Sequence, residues 1–451
     1  MKTSVGVCLS LVLSLSAANM KAQSVRSTEP TTKTTPEVIS RVTRVKGLKL
    51  IATFSPPPTD AFCRDNFGTP CYSPQQIRMA YGMTPILNAG YTGVGQTIII
   101  IDSFGSPTIA QDLKAFDAGY GLPDPPSFTV LAPLGTVPFN PKNGDQVGWA
   151  AETTLDVEWA HVMAPGANIV LLTSPVDETE GVHGMPEFLA LEQFALDQNL
   201  GKIISQSWGA TENTLFTPAG QKVIADFEDF YQGAAQQNVT VLASSGDSGS
   251  SNVETNGTTY YPFPTVGFPA SSPFVTAVGG TSLFANESGN YQFEITWIGS
   301  GGGVSQQFSE PEYQYSLSAS VQQILANHRG IPDIAYNADP NTPILIYLSF
   351  LGASSAGFYT IGGTSEGSPQ WAGIIADANQ LAGQPLGFLN PKLYSLGANA
   401  GQPLHDITFG SNAYNGFNGI PGYSATVGWD FTTGWGTPNV GKLVWALAKR
   451  P

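Results

Sequence analysis

The sequence predicts an α/β fold in which a mostly parallel central sheet is flanked by helices on both faces, and three observations carry that expectation. Short runs of β-branched and apolar residues recur along the chain, segments with helical spacing of apolar residues fall between them, and no linker or repeat interrupts the pattern after about Cys71. Strand, helix, strand in that rhythm buries both faces of a parallel sheet.

In chain order, Thr97 to Ile101 reads as the first buried strand, and Val147 to Met163 as a helix bounded by Gly144 and by Pro165-Gly166. Asn168 to Leu172 is the next strand and Pro186 to Leu200 the next helix. Lys202 to Ser207 returns as a strand, Ala219 to Gln237 as a helix, and Val239 to Ser244 and Phe274 to Val278 as strands. A further helix is expected over Pro369 to Leu381. Active sites of such sheets gather at the carboxyl ends of the strands.

Ahead of this region, Lys2, the apolar run Val5 to Leu15 and the small residues Ser16, Ala17, Ala18 and Ala22 form the pattern of a secretory signal peptide over 1–22. An exported protein, extracellular or periplasmic, is therefore expected, with no membrane span after cleavage. Residues 23–62, rich in Thr, Ser, Pro and Val, read as a flexible leader or short pro-segment, and 63–451 as one domain. Cys8 lies inside the apolar run, whereas Cys63 and Cys71 close a short loop and are expected to form one structural disulfide in an oxidising compartment. A net charge of −15 with 12% charged residues and no basic run leaves no footprint for nucleic acid.

The residues able to carry chemistry fall on this frame. Glu152 and Asp156 stand four apart on a helix, so both carboxyls share a face, although such a pair alone is often a solvated acidic stripe. Ser365 follows Gly362-Gly363-Thr364 and precedes a helix, which exposes a serine hydroxyl or merely caps the helix. Asp247, in Ser244-Ser245-Gly246-Asp247-Ser248-Gly249 at a strand exit, either caps a turn or turns its carboxyl to a reacting carbonyl. Together they point to a serine nucleophile with a carboxylate base. Asp102 ends the first strand, yet neither His161 nor His183 has the context of a catalytic histidine. The glycines Gly301 to Gly303 lack a phosphate-loop lysine and read as room for a substrate backbone. Asp406 and Asp430 lie on Gly-rich loops that suit a hard cation such as calcium or, equally, are a pair of turn aspartates.

From about Cys71 to Pro451 the chain resembles the sedolisin family, the serine-carboxyl peptidases of subtilisin-like fold in which glutamate replaces the histidine base. The resemblance rests on Glu152 to Ala160, Ser205-Gln206-Ser207-Trp208-Gly209, the Asp247 strand exit, Phe268 to Pro273 with Val278 to Thr281, and Trp297 with Ser300 to Ser305. Arg329 to Asp333 and the Ser365 segment complete it, with Gly362 standing where the family usually has serine. It implies Ser365 as nucleophile, Glu152 as general base and acid, Asp156 as its proton-sharing partner and Asp247 as the oxyanion partner. It also implies one structural calcium held by Asp406, Asp430 and the carbonyls of Ile407, Thr426 and Gly428, with Thr426 in place of a frequent glycine. A long folded prodomain is usual in the family, and here only 23–62 separates the signal peptide from the catalytic region.

A carboxyl base and a protonated carboxyl donor both favour acid. The resulting expectation is a secreted, monomeric serine peptidase, an endopeptidase by preference, acting on proteins or peptides with an acidic optimum. Two rivals are a non-catalytic peptide-binding protein on the same fold and a histidine-dependent subtilase.

Overall fold

The computed structural model describes residues 48–53, 56–398, 403–413 and 419–449. The expected signal peptide and the leader up to residue 47 lie outside the described residues. Within the remainder of the 23–62 stretch, however, Lys49–Ala52 is a strand paired antiparallel with Gly357–Ile361, and Asp60 opens a helix running to Phe67. Regular structure thus starts before the expected boundary at 63: Lys49, Leu50 and Ala52 find backbone partners some three hundred residues away, which local composition does not reveal.

The central sheet runs, by strand, Tyr291–Thr296, Thr276–Ala285, Thr240–Ser244, Ile203–Gln206, Thr97–Ser103, Asn168–Ser174 and Phe128–Leu131, with Ile334–Asn337 also pairing with Thr276–Ala285. Every pairing is parallel except that of Tyr291–Thr296 with Thr276–Ala285. The side-chain period of two splits each strand between two cores. Ile98, Ile100, Ile169, Leu171, Ile203 and Leu242 join one cluster with Leu155 and Trp159 of the helix Gly144–Met163 and Trp371 and Ile375 of the helix Gly367–Ala382. Ile99, Ile101, Leu172, Ile204 and Val241 join the other with Phe188 and Leu191 of the helix Met185–Asp197 and Phe227 and Tyr231 of the helix Pro218–Gln236. The near-continuous isoleucine run at 97–101 follows from a strand covered on both sides.

Two local devices brace the frame. Arg329, wholly buried, places Nη2 2.6 Å from Asp333 Oδ2, and Asp333 also accepts the Ala277 N–H at 2.8 Å and the Tyr394 hydroxyl at 2.8 Å. A buried ion pair survives when its remaining lone pairs are satisfied in this way. Cys63 and Cys71 form the expected disulfide.

Candidate active site

The helix Gly144–Met163 begins where the Asn143 side chain accepts the N–H groups of Asp145 and Gln146, and it carries Glu152 and Asp156 into the interior. Its residues from Gln146 to Met163 are all buried, so the acidic stripe is not a solvated face. Glu152 is 2% exposed and Asp156 not at all. Burial first, then the neighbouring charges of Asp102 and Glu152, push the Asp156 carboxyl well above its ordinary range, while a hydrogen bond from Ser207 opposes the rise. Asp102, at the end of its strand, is also fully buried and is pushed up to about 7 by desolvation, with a Thr153 hydrogen bond opposing. The charges that act on Asp156 are both acids, with no cation among them.

Ser365 sits in the one-turn 3₁₀ segment Thr364–Glu366, and the helix that follows has Glu366, not Ser365, at its N-cap. The serine is therefore not spent on capping. Asp247 Oδ1 accepts the Thr364 N–H at 2.7 Å and the Thr364 hydroxyl at 2.9 Å, and the Gly246 N–H donates to that hydroxyl at 3.0 Å. These bonds lock the Asp247 loop to the Ser365 turn. A Cβ on Gly363, at φ +125°, would stand 2.6 Å from Asp247 Oδ2, so only glycine lets the carboxyl lie against the turn. At Gly362 a Cβ would meet Pro340 N at 2.7 Å and Ala338 O at 2.8 Å, so this position is also closed to a side chain.

Glu152, Asp247 and Ser365 line one cleft of about 630 Å³, together with Ser207, Trp208, Gly246 and Thr364. None of the chain's four histidines lines it. His161 is buried with Nε2 2.7 Å from Pro123 O and 3.5 Å from Asp117, and desolvation pushes it down to about 4. His183 is an exposed partner of Asp177 at 3.2 Å. Nothing in this geometry supplies a histidine base.

One expectation is corrected. Gly301 to Gly303 do not border the cleft: a Cβ on Gly301 would fall 2.1 Å from Ser245 O, and one on Gly302 would collide with the carbonyl oxygen of Phe431. Their bareness lets the chain's own backbone close on the loop before Asp247, with Gly301 N–H donating to Gly246 O at 2.8 Å. Ser207, quoted within a motif but given no role, emerges as a site residue, with Oγ 2.9 Å from Asp156 Oδ1 and 3.5 Å from Ser365 O.

Away from the cleft, Asp406 Oδ2 accepts the Gly428 N–H and Asp430 Oδ2 the Thr426 N–H, each at 2.9 Å. Two carboxyls therefore flank the turn 426–428 that holds the expected carbonyl donors, with Gly428 at φ +82° and Ile407 buried beside Asp406. Desolvation raises both carboxyls, Asp430 to about 6. An all-oxygen set of one buried carboxyl, one half-buried carboxyl and a tight turn suits a hard divalent cation.

The buried acids give the fold a pH dependence. Desolvation pushes Asp102, Asp117 and Glu228 up to about 7, 8 and 7. A carboxyl bound more tightly to its proton when folded contributes stability that is present in acid and lost as pH rises through the folded value. The melting temperature of an inactive Ser365→Ala sample should accordingly fall between roughly pH 4 and pH 8. Calorimetry showing a flat or rising value over that window would contradict the assignment.

A doubly covered parallel sheet with a serine turn and a strand-exit aspartate at one cleft defines the subtilase class, and the Subtilase family profile matches residues 135–392. Kumamolisin from Bacillus sp. (strain MN-32) is 35% identical over 351 residues, covering 76% of this chain and 57% of that protein. Sedolisin from Pseudomonas sp. (strain 101) is 30% identical over 362 residues, covering 77% and 57%. The solved structure of Pseudomonas sedolisin, a serine-carboxyl proteinase complexed with two molecules of pseudo-iodotyrostatin, matches with a TM-score of 0.68 at 29% identity, covering 84% of this chain and 98% of that one. The chain belongs to the subtilase family and, within it, to the sedolisins. It spans a little over half the length of the curated relatives described.

Proposed function

We propose that this protein is an exported, acid-acting serine-carboxyl peptidase that hydrolyses peptide bonds through an acyl-enzyme on Ser365. The observation that carries the reading is the cleft itself, where a serine meets Glu152 and Asp247 and no histidine. Glu152 takes the hydroxyl proton as Ser365 Oγ attacks the scissile carbonyl carbon, and Asp247, protonated, donates a hydrogen bond to the developing oxyanion. As the C–N bond breaks, Glu152 returns the proton to the leaving amine; water then repeats the sequence to release the acid. Asp156 shares protons with Glu152, which by itself is a weak base for a serine hydroxyl.

Substrates are proteins or peptides. The other charged residues lining the cleft are Asp145, Asp177, Glu178 and Glu180, with no lysine or arginine, so neutral or cationic segments suit it better than acidic ones. No helix among the described residues is long and apolar enough to cross a membrane. Purified protein incubated with acid-denatured globin at about pH 4, inside the ordinary carboxylate range, should release peptides. Intact globin after prolonged incubation across acid and neutral pH would leave only the binding-protein reading.

Asp406, Asp430 and the carbonyls of Ile407, Thr426 and Gly428 would hold one structural calcium ion, which would neutralise the two carboxylates and brace the turn. Chelation should lower the melting temperature by several degrees, on the order of a ligand bound well above its Kd, with recovery on adding calcium. An unchanged melting curve with and without chelator would count against the ion.

A further inference from the structure

We propose that Ser207 is a positioning residue for the carboxyl pair: its hydroxyl, held on Asp156 Oδ1, confines the proton shared with Glu152 to Asp156 Oδ2. This rests on the reading of Glu152 and Asp156 as the acid–base pair. Ser207 follows directly on the strand Ile203–Gln206 and is buried. Its single hydroxyl proton has two acceptors in reach, Asp156 Oδ1 at 2.9 Å and the Ser365 carbonyl at 3.5 Å, and the shorter contact takes it. Among the described residues no hydrogen-bond partner reaches Asp156 Oδ2, which is buried. One oxygen is thereby occupied as an acceptor, and the other is the place for a proton.

The groups facing Asp156 make that choice consequential. Asp102 comes from the neighbouring strand and Glu152 from one turn earlier on the same helix; both are acids, and no cation acts on Asp156 from either. Buried carboxyls this close do not all ionise, so at least one proton stays among them. With Oδ1 taken, that proton is available from Asp156 to Glu152 through Oδ2 only. The same hydroxyl lies beside the backbone of Ser365, so the pair and the nucleophile are registered against one side chain.

The test is the pH dependence of kcat/KM for wild type, Ser207→Ala, Ser207→Thr and Ser207→Cys on an internally quenched peptide. Ser207 stabilises the unprotonated form of Asp156, so its removal makes the pair hold protons more firmly. In the alanine variant the acid limb should move up by about one pH unit, and kcat should fall about tenfold with KM little changed. Threonine, which keeps the hydroxyl, should restore the limb. An alanine limb that coincides with wild type, or a threonine limb displaced as far as alanine's, would overturn the assignment. If the alanine variant does not fold, the cysteine variant, similar in size and a weak donor, should move the limb the same way by less; an unmoved limb there overturns it equally. A wild-type profile with no acid limb would instead overturn the carboxyl-pair reading and this one with it.

Discussion

Ser365→Ala should lower kcat by a factor on the order of 10⁶, since removing a nucleophile leaves only what the remaining oxyanion donor and binding groups supply. The substitution deletes one oxygen from a side chain that is 8% exposed at the floor of the cleft, and the turn that holds it is fixed by Thr364, Asp247 and Gly363 rather than by the serine. Folding and peptide binding should therefore persist. Peptide release from denatured globin, timed against wild type at about pH 4, measures the loss. A variant retaining a tenth of the wild-type rate would place the covalent step elsewhere.

Glu152→Gln should cost about 10² to 10⁴ in kcat with KM nearly unchanged, the usual worth of a positioned general base. Glutamine preserves shape at a buried position and removes an ionisable group from beside Asp156, so the melting temperature should hold or rise. The control is the histidine pair. His161→Ala and His183→Ala should keep turnover within a few fold of wild type, because neither side chain lines the cleft and each is engaged elsewhere. Single-turnover measurements at saturating peptide separate the chemical step from binding. Near wild-type rates in Glu152→Gln, or loss of turnover in His161→Ala with folding intact, would contradict the carboxylate base.

Much of the frame was legible because periodicity is a local signal. The strand expected over Thr97 to Ile101 runs to Ser103, and the helix expected from Val147 starts at Gly144, a turn earlier, because Asn143 caps it. The strand expected to stop at Val278 continues to Ala285 through Gly279 and Gly280. A Cβ would fall 2.6 Å from Pro332 at the first glycine and 2.8 Å from Ala338 at the second, so they are packing sites inside the strand. Gly301 to Gly303, expected to face a substrate backbone, pack against the chain itself: a bare backbone position announces close approach without naming the partner. The strand Lys49–Ala52 depends on pairing with Gly357–Ile361, which no window of sequence contains.

Chemistry and resemblance single out Glu152, Asp156, Asp247 and Ser365 as candidates, and the structure brings Glu152, Asp247 and Ser365 to one cleft, with Asp156 on the same helix as Glu152. What the sequence could not convey was burial. Residues such as Glu152, Asp156 and Asp102 look like surface acids until the fold buries them, and burial is what raises the proton affinity of Asp156 and Asp102. Ser207 shows the same limit, for its significance lies entirely in a 2.9 Å contact across the fold.

The dependence of kcat/KM on pH, taken from about pH 2 to pH 9 for wild type and Asp247→Asn, tests most directly the claim that a carboxyl accepts the serine proton while another, uncharged, steadies the oxyanion. The account predicts a wild-type maximum well below neutrality with activity vanishing in mild alkali. It predicts a lower profile for Asp247→Asn whose alkaline fall is displaced or absent, because asparagine donates without titrating. A wild-type maximum near pH 8, or an alkaline limb identical in the two proteins, would contradict it.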